Sequence, residues 1–402
     1  MSDPAPMRIV MVLGKSTGGI GTHVADLAGR LRGQGHRVLV ATDELTATTF
    51  DLGQSLKVWP TLGGAKSPSA LAQAGRRELA GLGALRRTIR GAEVVHAHGH
   101  QAGLLAALAI GSLRPKARPV LVVSLHNEAA TGAGARRTVT DAAQRFVAAR
   151  AALITGASSD LVERARQFGA QASLLALVPS PRVPQLLAAT PADRDRSRAL
   201  IRDRLGLDVE APLIVTISRI APQKDLDTLL RAARALDGRR NAAPTREQGG
   251  VGWTWAVIGG GIPQLRARLE AEAAAHGLPI RFVGAVSDPT AWLLGGDVFV
   301  LTSTWEARAL VVQEAMAAGV PVVASDSGGL PDLLGPAATP VGCLVPVGDA
   351  AGFADAVARL LADADTRHTE GLLARERARS WPDSDESAAW WADMYRRLLW
   401  VS

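Results

Sequence analysis

Two cations stand at the end of an apolar run. In "TISRIAPQKDLDTLL", Arg219 and Lys224 follow the strand-like "APLIVTIS". An arginine and a lysine at a strand mouth can neutralise a diphosphate and a departing nucleotide. The plain alternative is a solvated turn with two surface charges. Lysine usage argues against it: the lysines are Lys15, Lys57, Lys66, Lys116 and Lys224, while the other basic residues are arginine. A compact ammonium at Lys224 in such a chain reads as a requirement of the site.

Two acids come later. In "TSTWEARALVVQEAMAAGVPVVAS", Glu306 falls on a loop and Glu314 a turn or two into the helix that follows. The start of that helix, near Arg308 to Val311, offers N–H groups to an anion. Carboxylates beside an anion site repel the anion, so these two are expected to accept hydrogen bonds from vicinal hydroxyls instead. An exposed helix acid is the alternative for each.

Two further groups lie near the N-terminus. "GKSTGGIG", Gly14 to Gly21, superficially suggests a phosphate-binding P-loop, but that pattern needs glycine where Ile9 stands. What remains is a glycine-rich turn in which Gly18 and Gly19 would let the backbone approach a phosphate at a helix N-terminus. "VVHAHGH" spaces His96, His98 and His100 by two, on one face if the strand continues, and His126 closes "LVVSLHN". No nearby carboxylate or cysteine completes a ligand set with these histidines, so no metal site is expected. The acidic runs at Asp193, Asp363 and Asp383 fall in charged helical or linker segments and read as helix caps and solvated faces.

The elements that must position these residues are short apolar strands alternating with helices, the pattern of parallel sheets covered on both faces. "MRIVMVLG", "HRVLVAT", "AEVVHAHG", "PVLVVSLHN" and "AALITGAS" supply one sheet; "APLIVTIS", "WTWAVIGGG", "IRFVGAV", "DVFVLTS", "VPVVAS" and "GCLVPV" supply a second. The proline-rich and charged stretch from Val178 to Pro212 reads as a linker with a surface helix. A length of 402 residues suits two such domains. In parallel α/β sheets ligands sit at the carboxyl ends of strands, where all four groups lie.

Composition narrows the classes. The one cysteine, Cys343, excludes an internal disulfide and a multi-cysteine metal site. The net charge of +7 comes from scattered arginines without interleaved aromatics, so no nucleic-acid partner is expected. No apolar run reaches membrane-spanning length, and "MSDPAPMRIVMVLGK" lacks the basic start and long apolar stretch of a signal peptide. The expected compartment is the cytoplasm. The helix around Arg76 to Arg90 sets Leu79, Leu82, Leu85 and Ile89 against five arginines. It reads as core-facing, with a basic face compatible with peripheral contact on an anionic inner membrane surface.

Together, "SRIAPQKD", "AVIGGGIPQLRARL", "RFVGAV" and "LTSTWEARALVVQEAMAAGVPVVASDSGGLPDLL", with "MVLGKSTGGIGTHVADLAGRLRGQGHRVLVAT", "VVHAHGHQAG" and "VSLHN", resemble glycosyltransferase family 4 across nearly the whole chain. The resemblance implies a GT-B fold: two Rossmann-like domains with parallel sheets facing across a cleft, and a C-terminal helix crossing back to the first domain. The expected boundaries are 1–182, 183–380 and 381–402. It implies metal-independent transfer of a sugar, with retention, from a nucleotide-diphosphate donor, a UDP-sugar, to a hydroxyl of a glycan, lipid or small natural product. No cofactor is implied.

By position, Arg219 and Lys224 would hold the diphosphate, Glu314 the ribose and Glu306 the donor-sugar hydroxyls. Ala309 and Leu310 would offer backbone N–H groups, Gly18 and Gly19 would approach the phosphate, and Gly260 and Gly261 would shape the nucleotide pocket. His98, His126 and Asn127 would lie on the acceptor side. Arg219, Lys224, Glu306 and His126 are the residues expected at the reaction centre. The family's usual glycine after the first glutamate is here Ala307, followed by Arg308, whose charge would meet donor or acceptor. Its usual Asn-Gly at the linker is "PSPR". A nucleotide-sugar 2-epimerase or a non-catalytic partner subunit of the same fold are the competing readings.

Overall fold

The computed structural model describes residues 5–16, 18–58, 81–129, 135–176, 178–242, 252–335 and 341–401. Residues 76–80 of the basic helix, residues 130–134 after Asn127 and residues 243–251 lie outside them. The chain forms two compact units, Met1–Pro179 with Pro382–Ser402, and Ser180–Trp381.

Unit 1 is built on strands β1 (Arg8–Leu13), β2 (Arg37–Thr42), β3 (Ser55–Lys57), β4 (Val94–His98), β5 (Val120–Leu125), β6 (Leu153–Gly156) and β7 (Ser173–Leu175). All pair in parallel, in the order β3-β2-β1-β4-β5-β6-β7. Every residue of β4, β5 and β6 is buried, as unbroken apolar runs require of strands covered on both faces. The covering helices are α1 (Gly19–Gly33), α2 (Glu44–Thr49), α3 (residues 81–89), α4 (His100–Gly111), α5 (Ala135–Ala148) and α6 (Ser159–Gln167). Strand order reverses between β1 and β4, and their carboxyl-end loops diverge there, opening a crevice.

Unit 2 repeats the plan. Strands β8 (Leu213–Ile217), β9 (Thr254–Ile258), β10 (Ile280–Gly284), β11 (Val298–Leu301), β12 (Val322–Ser325) and β13 (Cys343–Val345) pair in parallel in the order β10-β9-β8-β11-β12-β13. Its helices are α7 (Val183–Ala188), α8 (Pro191–Leu205), α9 (Leu226–Ala242), α10 (Pro263–Ala275), α11 (Thr290–Gly295), α12 (Leu310–Ala317), α13 (Leu330–Leu334), α14 (Ala350–Ala362) and α15 (Ala364–Arg379). One apolar cluster joins Phe299, Val312, Met316 and Leu330; another joins Ile214, Trp255, Val300 and Phe353. Here the order reverses between β8 and β11.

The charged segment read as a linker with a surface helix is more deeply integrated. On α8, Arg202 is buried and donates to Asp297 Oδ2 at 2.6 Å, the Gly295 carbonyl at 2.7 Å and the Ala211 carbonyl at 3.0 Å. Asp297 also accepts from the Leu213 amide at 2.7 Å, so this pair anchors α8 to the start of β8. The three acidic runs do cap helices. Asp193 completes a capping box with Thr190, Asp363 caps α15, and Asp383 accepts from the Glu386 amide.

The final helix, α16 (Ser384–Val401), belongs to unit 1. It packs on α1, where Arg30 pairs with Asp385 at 2.6 Å. Trp391 and Tyr395 are fully buried. Among the described residues no helix is long and apolar enough to cross a membrane.

Candidate functional site

In unit 2 the predicted donor residues gather at the loops after β8 and β11, the strands flanking the switch point. The first loop carries Arg219, exposed, and Lys224. Asp225, in the left-handed region at φ 42°, then turns the chain into α9 and accepts from Thr228. The second loop is stitched to the first. The Thr302 hydroxyl donates to the carbonyls of Lys224 and Asp225 at 3.1 Å, and the Thr304 amide donates to the Gln223 carbonyl at 2.9 Å. This brings the Lys224 ammonium onto Glu306 Oε1, which also accepts from the Ser303 hydroxyl at 2.6 Å.

Glycines supply the close approaches. At Gly261 a Cβ would stand 2.1 Å from the Ile220 carbonyl oxygen, and the Ile220 amide donates to the Gly260 carbonyl at 2.8 Å. The loop after β9 therefore presses directly on the loop that carries Arg219. Gly260 itself has more room, with Ala285 Cβ at 3.4 Å. At Gly328, φ is 58° and a Cβ would meet the Glu306 carbonyl oxygen at 2.0 Å. The Gly329 amide donates to that same carbonyl at 2.8 Å, so the "DSGG" turn fixes the Glu306 loop from behind.

Helix α12 opens at Leu310 after Ala309, with no side chain capping it, so its first N–H groups point out at the switch point. Glu314 lies in its first turns and, contrary to an exposed helix acid, its side chain is only 5% exposed. It accepts from the Ser180 hydroxyl at 2.6 Å and from Arg182 at 3.4 Å. Burial raises its pKa, opposed by the Ser180 hydrogen bond and by Arg182. Ser180 and Arg182 are the "PSPR" residues that depart from the family pattern, and here they secure a predicted site residue. Arg308 turns elsewhere: its guanidinium lies 5.7 Å from the centre of the Trp381 ring, and burial lowers its pKa to about 10, with Asp332 opposing.

In unit 1 the loop after β1 is held by buried polar contacts. The Ser16 amide donates to the Thr46 hydroxyl, and the Gly21 amide to the Ser16 hydroxyl, both at 3.0 Å. Gly18 precedes α1, which no side chain caps, and Gly19 is exposed at its first position.

The histidines divide. His100 is not on the strand but opens α4, because β4 ends at His98; its Nε2 contacts the Asn127 carbonyl at 2.9 Å. His96 belongs to the core, with Tyr395 Oη 2.6 Å from Nδ1 and Ser124 Oγ 2.7 Å from Nε2. His98 Nδ1 and His126 Nε2 lie 3.1 Å apart, and His23 of α1 joins them, its ring 5.5 Å from that of His126. Burial lowers the pKa of His23 to about 4 and of His126 to about 3, and holds His96 and His98 well below the ordinary 6.5. All four are neutral at physiological pH.

His23, His98 and His126 each bring a nitrogen within 4.8 Å of the others, the spacing a metal ion would need. Yet His98 and His126 face each other at hydrogen-bond distance, which a shared proton accounts for, and among the described residues no cysteine or carboxylate joins the cluster. Sequence reading missed His23, Ser180, Arg182, Ser303 and Gly328. Only "PSPR" had drawn notice, as a departure.

The sequence matches the family described as glycosyl transferases group 1 over residues 197–377 and the glycosyl transferase 4-like domain over residues 18–181. The chain belongs to this family, glycosyltransferase family 4. A D-inositol 3-phosphate glycosyltransferase of Xylanimonas cellulosilytica is 31% identical over 63% of this chain and 58% of its own length. One of the same name from Nocardioides sp. is 28% identical over 94% of this chain and 85% of its own length. The match thus spans under two thirds of the first of these relatives. Among solved structures, Anabaena HepE in complex with UDP is similar with a TM-score of 0.77 and 21% identity, covering 97% of this chain and all 100% of HepE. The fold is of the GT-B type.

Proposed function

We propose that the protein is a retaining glycosyltransferase that moves a sugar from a nucleotide-diphosphate donor, a UDP-sugar, to an acceptor hydroxyl without a bound metal. One observation carries this reading. At the switch point of the second sheet, Lys224, Glu306 and the uncapped start of α12 converge on loops locked together by hydrogen bonds. That is an anion site with a hydroxyl acceptor beside it. The relatives' names as glycosyltransferases support sugar transfer, and the UDP bound to HepE supports a UDP-linked donor.

The diphosphate would draw the Lys224 ammonium away from Glu306, and Arg219 and the α12 amides would share its charge. Glu306, released, would accept from donor-sugar hydroxyls, and Glu314 from the ribose. The leaving phosphate oxygen would take the acceptor proton, so no side-chain nucleophile is needed. Among the described residues no paired aspartates occupy either switch point, which supports a cationic rather than a metal-held diphosphate. The test is a transfer assay with the product's anomeric configuration read by NMR. A retained configuration formed in the presence of a chelator is expected; inversion, or a requirement for a divalent ion, would overturn the reading.

A further inference from the structure

Unit 1 contains a cavity of about 480 Å³, within the ~300–1,000 Å³ typical of small-molecule sites. Gly14, Lys15, His98 and Asn127 line it at the carboxyl ends of β1, β4 and β5, the crevice side of the first sheet. Farther in, its walls are Val123, Val147, Ile154 and Phe168, with small residues such as Ala143 on α5 leaving the room. Two buried side-chain nitrogens on lining residues, His98 Nε2 and Gln144 Nε2, have no hydrogen-bond partner among the described residues. His98, beside His126, thus offers a polar nitrogen at the sheet's carboxyl end, and most of the lining surface is apolar.

We infer that this cavity receives an apolar group of the acceptor, which makes the acceptor an amphipathic alcohol. Its hydroxyl would lie at His98 and His126 and its ring system or chain between α4, β5 and α5. A small polyol phosphate would leave the apolar walls facing water, which apolar cavities do not hold well, and among the described lining residues Lys15 is the only cation for its phosphate. The inference rests on the proposed transfer reaction, because the acceptor is the molecule it describes.

The experiment uses the full chain, a UDP-sugar that it hydrolyses, and glycerol, butylglycerol, hexylglycerol and octylglycerol below their micellar concentrations. The expected kcat/KM rises about fourfold or less per methylene, the transfer value for a CH₂ group, and Ala143→Trp flattens that rise. Val139→Trp, on the same wall at an exposed position, replaces it if Ala143→Trp does not fold. Didecanoylglycerol in phosphatidylcholine vesicles separates the two sources. Faster transfer there assigns a lipid acceptor, and faster transfer to octylglycerol assigns a small amphiphile. A chain-length dependence that is flat in the wild type overturns the inference but leaves the transfer reading standing. Absence of turnover with every donor sinks that reading instead. The cavity is then tested by melting with octylglycerol alone, which should raise the Tm of the wild type and not that of the filled variant; equal shifts, or none, overturn it.

Discussion

Lys224 pairs with Glu306 across 82 positions of sequence, and both side chains are about 15% exposed or less. In the proposed reaction the pair would hold the two side chains in place until a diphosphate competes for the ammonium. Glu306→Gln keeps the shape and removes the charge. We expect turnover to fall at least tenfold, with the circular dichroism spectrum unchanged; a steady-state rate equal to wild type would contradict the role given to Glu306.

Ser180 and Glu314 form the second fixed relationship. A buried carboxylate that loses a hydrogen bond keeps its desolvation cost, so Ser180→Ala should destabilise the protein by about 1.5–3 kcal/mol. Urea unfolding measures this, and a change below about 0.5 kcal/mol would show that Arg182 or water satisfies Glu314 equally well.

The glycine-rich turn after β9 distinguishes its own members. Gly261→Ala drives a methyl into the Ile220 carbonyl, whereas Gly260→Ala meets only Ala285 at ordinary contact. Calorimetric titration with UDP should show a loss of affinity of tenfold or more for the first and less than threefold for the second. Equal effects would remove the claim that this turn sets the Arg219 loop.

The buried histidines give the molecule an acid-side weakness. His23 is held neutral down to about pH 4, while in the unfolded chain it gains a proton near 6.5. The unfolded state therefore binds more protons between those values, and stability falls as pH drops from 6.5 toward 4, levelling above 6.5. His126 extends the window toward about 3. The contribution of His23 is on the order of 3 kcal/mol. Thermal melts from pH 8 to 4 should show a falling Tm that His23→Gln makes shallower; identical profiles would sink this account.

The two sheets were legible because strands buried on both faces must be short apolar runs, and each run is bounded by turn residues. Lys224 stood out as the only lysine after Lys116 in a chain that otherwise uses arginine. Glu314 could be named but not its burial, because Ser180 and Arg182 stand more than 130 positions earlier. His23 was hidden for another reason. It shares the buried face of α1 with Val24, Leu27 and Leu31, so its spacing looks like core packing. Arg202 misled because a charged helix reads as solvated until its partner, Asp297, is found on another element. Chemistry held within one loop shows in sequence; chemistry assembled by tertiary pairing does not.

In the proposed function, Lys224 and its loop hold the diphosphate of a sugar donor. The most direct test is nucleoside-diphosphate release from a panel of nucleotide sugars, by wild type and by Lys224→Ala, with folding checked by melting. We expect UDP release by the wild type from at least one UDP-sugar and a loss of about 10²-fold or more in the variant, on the scale of removing an anion-stabilising group. Release at the wild-type rate by a folded Lys224→Ala would contradict it.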